Sequence, residues 1–161
     1  MGANELSALL WRERELLELL VFKLDEEQLL LSAGRSRWVQ HATREVEQVL
    51  ELVREAGLGR SVEVAAVALE WGTPQDATLR ELVEQAPPGP WSDIFSAHLA
   101  AMTDLIGQIR NLRDVNEQFL RSAARYTQES LAGTDAQATT YDSRGASGAP
   151  TTGARLFDQS L

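Results

Sequence analysis

The chain has 161 residues, with 24 acidic against 15 basic side chains, a formal net charge of -9 and no cysteine. That length suits one domain, or one domain with a tail. The missing thiols exclude disulfides, thiolate zinc sites and cysteine nucleophiles, and the acidic balance argues against nucleic acid, whose phosphates need a cationic surface.

The five prolines (74, 87, 88, 90 and 150) punctuate the chain and leave three long helical patterns, about 4–33, 36–71 and 92–132. No segment shows the period-two alternation of a half-buried strand, so the chain reads as all-α. The first helix can open at Asn4, a good N-cap with Glu5 in its first turn. Its apolar stripe runs through Leu6, Leu9/Leu10, Leu16/Leu17, Leu20/Val21, Leu24 and Leu31, and the patch Arg12-Glu13-Arg14-Glu15 interrupts it at one position. Gly34 is a natural stop.

The second helix opens at Ser36. Val39, Ala42, Val46, Val49, Val53 and Ala56 follow at alternating spacings of three and four, the pattern of a heptad seam. Gly57-Leu58-Gly59 weakens the helix by about 1 kcal/mol per glycine relative to alanine. The seam nevertheless continues in phase through Val64, Val67 and Trp71, which predicts one helix with a soft point. Gly72-Thr73-Pro74 ends it. A short amphipathic helix follows over 77–86, with Leu79, Leu82 and Val83 on one face, and then the extended Pro87-Pro88-Gly89-Pro90 connection.

The third long helix is expected to start at Ser92-Asp93. Phe95, His98, Met102, Leu105, Ile109, Leu112, Asn116, Phe119, Ala123 and Tyr126 form an unbroken three-four seam, and Gly133 is the expected end. The predicted architecture is an elongated antiparallel bundle of three long helices plus one short connecting helix over 1–132. Residues 133–161, rich in Gly, Ser, Thr and Ala, should form a flexible, disordered tail. The apolar cluster in its last six residues, Leu156 to Leu161, suits a docking peptide.

Catalytic and cofactor chemistry finds no foothold. Gly57-Leu58-Gly59-Arg60-Ser61-Val62 approaches a dinucleotide-binding pattern, but Val62 replaces the third glycine and no strand precedes it. A di-iron bundle needs inward Glu-x-x-His pairs. Here Trp38 precedes His41 by three, and Phe95 precedes His98 by three. No catalytic, metal or cofactor-binding residue is assigned, and the chain is read as a non-enzyme. The opening residues, with Glu5, Arg12, Glu13, Arg14 and Glu15, lack the cationic start and apolar run of a signal peptide, so a cytoplasmic, non-membrane protein is expected.

His98 and Asn116 are polar residues in an apolar seam. The plain reading gives each a partner across the bundle, with Asn116 fixing register; the sharper one makes Asn116 the mark of a seam left open. Trp38, Trp71 and Trp91 are expected to cap the bundle ends, while Trp11 could pack or bind. The third helix outlasts the first, so the end of its seam should lack a covering partner. Leu112, Asn116, Phe119, Ala123, Tyr126 and Leu131 are therefore the candidate cargo-binding residues, a groove for a partner's helix.

The runs ELSALLWRERELLELLVFKLDEEQLLL, RSRWVQHATREVEQVLELVREAGLGRSVEVAAVALEWG and ATLRELVEQAPPGPW, with YDSRG in the tail, resemble FlgN-type flagellar export chaperones. The resemblance implies a cytoplasmic chaperone of flagellar type III export that needs no cofactor. Such a protein binds the amphipathic C-terminal helices of hook-associated (hook–filament junction) proteins and delivers them to export-gate components. The rival reading is a self-associating coiled-coil scaffold with no client. A monomer suits the chaperone, with a homodimer as the alternative.

Overall fold

A computed structural model describes residues 2–138, with side chains through residue 135. Among the described residues there are four helices and no strand: α1 (Gly2–Ser32), α2 (Ser36–Trp71), α3 (Leu79–Glu84) and α4 (Pro90–Ala138). The chain divides into two compact units, Met1–Phe119 and Leu120–Leu161.

The first unit is a helical bundle. Its α1 and α2 are antiparallel: Glu13 meets Arg60, Lys23 meets Glu45, and Glu27 meets Thr43, so one number falls as the other rises. The portion of α4 in this unit runs parallel to α1, with Arg14 beside His98 and Leu24 beside Asn116. Leu6, Leu10 and Leu20 of α1, Val67 of α2, Leu82 of α3 and Phe95 of α4 are almost wholly buried in one shared core. Full burial of such a side chain is worth about 1.5–3 kcal/mol each, which is what holds the helices together.

Local chemistry sets the turns. Gly34 and Gly72 both adopt left-handed backbone, with φ of 66° and 72°. In each case the glycine N–H donates three residues back, and the next N–H donates five back (Arg35 to the Leu30 carbonyl, Thr73 to that of Ala68). That is the paired closure that satisfies the last helical carbonyls. α3 is opened by a reciprocal cap: the Glu81 N–H donates to Thr78 Oγ1, and the Glu81 carboxylate accepts from the Thr78 N–H. The Thr78 N–H, and then the Thr78 hydroxyl, donating to the Glu81 carboxylate hold that carboxyl below its usual range.

The helix ends differ from expectation at three points. α1 begins at Gly2, not at an Asn4 cap. Gly2 and Ala3 are buried, and a Cβ on Gly2 would sit 3.2 Å from a Val67 methyl, so close packing on α2 draws the helix two residues further. α4 begins at Pro90, not at Ser92-Asp93, since proline at a first helical position has no N–H to leave unpaired. It also runs through Gly133 to Ala138. One exposed glycine costs a helix only about 1 kcal/mol, which did not stop this one. The short helix is narrower than the expected 77–86. The expected tail beyond residue 138, including Tyr141 and the Leu156–Leu161 cluster, lies outside the described residues.

α2 is continuous from Ser36 to Trp71, as its unbroken seam phase predicts. Trp91 stacks on Phe95 and Trp71 lies tilted against it, with ring centroids 5.5 and 5.9 Å away, and so they close one end of the core as expected. Trp38 does not. It is 44% exposed, one residue off the seam, lying against His41 and under the Arg37 guanidinium.

Candidate client-binding surface

The seam of α4 changes character along its length. Phe95, His98, Met102, Ile109 and Asn116 are buried, and Leu105 and Leu112 are half-buried. Phe119, the last residue of the first unit, is 39% exposed. In the second unit every residue from 120 to 135 is exposed, including Leu120, Ala123, Tyr126 at 73% and Leu131 at 62%.

The six candidate residues therefore fall into three groups. Leu112 is half-buried against the core of the first unit. Asn116 is inside it: its Nδ2 donates to the Leu24 carbonyl and to Glu27 Oε2, both at 3.0 Å. Asn116 thus follows the plain reading of a buried polar residue with partners across the bundle, and its side chain is not on the surface. Phe119, Ala123, Tyr126 and Leu131 present apolar atoms to solvent.

His98 likewise finds partners. It is 2% exposed, with Arg14 Nη1 at 3.4 Å from its Nδ1 and the edge of Trp11 against its ring, centroids 5.0 Å apart. Burial, and then the Arg14 charge, lower its pKa, so the ring stays neutral near pH 7. Trp11 is 54% exposed, lying against His98 with the Arg14 guanidinium over its ring at 4.4 Å from the centroid.

Two buried acids were not singled out in the sequence. Glu13 is buried and ion-paired to Arg60; burial raises its pKa, partly offset by that guanidinium. Glu27 is buried too, accepting from Thr43 Oγ1 at 2.7 Å and from Asn116. The signal was available. Leu6, Leu10, Glu13, Leu17, Leu20, Leu24 and Glu27 are a perfect four-three alternation, with the two acids occupying seam positions. These acids form two polar layers joining α1 to α2, and the second also reaches α4.

Among the described residues no group of three or more His, Asp or Glu could hold a metal ion. Residues 57–62 are helical, so the glycines there do not form a phosphate-binding turn. No helix among the described residues is long and apolar enough to cross a membrane.

A sequence model of one protein family, described as FlgN protein, matches residues 1–148. No curated protein and no solved structure matches the chain. The family match spans nearly the whole chain. The chain belongs to the FlgN family, a family of flagellar export chaperones and not of enzymes.

Proposed function

We propose that this chaperone acts in the cytoplasm on hook-associated (hook–filament junction) proteins, holding their amphipathic C-terminal helices and passing them to export-gate components. Its candidate contacts in the second unit are Ala123, Tyr126 and Leu131. Phe119, with half-buried Leu112, is a further candidate in the first unit. Asn116 acts from behind, fixing α4 against α1 through Leu24 and Glu27.

The observation that carries the reading is the run of exposed residues 120–135, which keeps apolar side chains where a lone solvated helix has no use for them. Junction proteins assemble through amphipathic helices that must not pair early. A helix offering Tyr126 and Leu131 can cover such a stripe. Burying about 800 Å² of apolar surface is worth roughly 20 kcal/mol gross. Ordering the client and losing rigid-body freedom remove much of it, which leaves a releasable complex. Hand-over needs no nucleotide, only a competing surface at the gate.

The test uses the full chain and a peptide spanning the C-terminal helical region of a hook-associated protein. Replacing Tyr126 and Leu131 together with Ala is expected to weaken binding by at least about tenfold, with helical content unchanged by circular dichroism. Undiminished binding by the double variant, and by Phe119→Ala, overturns the assignment of the surface. A purified chain that sediments only as an obligate oligomer and takes up no peptide favours the self-associating scaffold instead.

A further inference from the structure

We propose that α2 carries a hinge at Gly57–Ser61, where the first unit opens locally while the rest of its core stays closed. Four independent features meet at this point. Gly57 and Gly59 lie inside a helix, where each shifts the local folding equilibrium by about fivefold relative to alanine. Neither is required by space. A methyl on Gly59 would meet nothing within 4 Å, and one on Gly57 would make only ordinary contacts of 3.9 Å with Arg60 and Glu13.

The second feature is Ser61, whose Oγ donates to the Gly57 carbonyl at 3.0 Å. Such back-bonding competes with the regular helical bond and bends helices. The third is packing. Clefts of about 600 Å³ and 260 Å³ border the segment, one reached by Ser61 and Val64, the other by Ala56 and Gly59. Both clefts are open to solvent, so this flank of α2 is covered less completely than a closed core, although Val64 itself is buried.

The fourth is the polar layer beside the hinge. Glu13 is paired to Arg60, yet Glu13 Oε2 and Arg14 Nε are buried without a hydrogen-bond partner. An ion pair whose buried carboxylate keeps one oxygen unpaired, with a second orphan donor beside it on Arg14, adds little net adhesion. The segment 46–53 of the same helix offers a control. It carries buried Val46 and Val49 in the same core and contains no glycine.

Native-state hydrogen exchange of the full chain, read amide by amide by NMR, tests this directly. The amides of 58–64 should exchange at least about tenfold faster than those of 46–53. The pair Gly57→Ala with Gly59→Ala should slow exchange in 58–64 by about twentyfold, with much less change in 46–53. Equal protection on both sides of Gly57, or an equal slowing of both segments in the double variant, overturns the hinge. Ser61→Ala provides a second arm: it should slow exchange in 58–64 modestly, and no selective change there counts against the back-bond.

Discussion

The two stretches of the α4 seam teach different things although their spacing is the same. From Phe95 to Asn116 the three-four alternation lies in or against the core of the first unit; at Ala123 and Tyr126 it continues with every residue exposed. Periodicity therefore reports that a face is able to pack. It says nothing about whether this chain supplies the partner. The buried stretch should govern stability and the exposed one binding, and each substitution below is a way to break that division.

The largest effect is expected at Phe95, fully buried and in contact with both Trp71 and Trp91. Phe95→Ala should lower the unfolding free energy by about 3–5 kcal/mol, measured by urea denaturation. Next comes Asn116→Ala, which strips Glu27 and the Leu24 carbonyl of a donor inside the core. A loss of about 1–3 kcal/mol is expected. A result near zero at either position would show that the buried half of the seam is not what holds the bundle.

Thr78→Ala removes the reciprocal cap of α3 and should cost about 1 kcal/mol, without touching client binding. His98 gives a pH signature. Its folded pKa lies below the ordinary imidazole value, so on acidification the unfolded chain takes up a proton that the folded chain holds off. Stability should therefore fall as pH drops from about 7 through the folded value, with a slope of at most about 1.4 kcal/mol per pH unit. His98→Gln should flatten that slope, and an unchanged slope would place the proton uptake elsewhere. The smallest stability effect belongs to Tyr126→Ala, within about 0.5 kcal/mol of the parent.

Much of the fold was legible because heptad phase survives local irregularity. The phase through Val64 and Val67 carried α2 across Gly57 and Gly59, and the structure keeps it as one helix. Helix ends were less legible, since they depend on neighbours. Gly2 is drawn into α1 by contact with α2, and Gly133 stays helical despite its low propensity. Among the candidate residues, exposure sorted what sequence could not. Asn116 and Tyr126 both lie on the same three-four seam, but only the first meets a carbonyl and a carboxylate from α1. Glu13 and Glu27 both fall on seam positions in the α1 spacing, but spacing alone does not show that a carboxylate there finds Arg60, or Thr43 and Asn116, inside the bundle.

The central claim is that the 120–135 stretch of α4 awaits another polypeptide, and hydrogen exchange of the full chain with and without a hook-associated C-terminal peptide tests it most directly. The account predicts that saturating peptide slows amide exchange across 120–135 by at least about tenfold, and that Tyr126→Ala with Leu131→Ala abolishes the slowing. Protection confined to other segments, or peptide bound tightly with 120–135 exchanging as before, would contradict it.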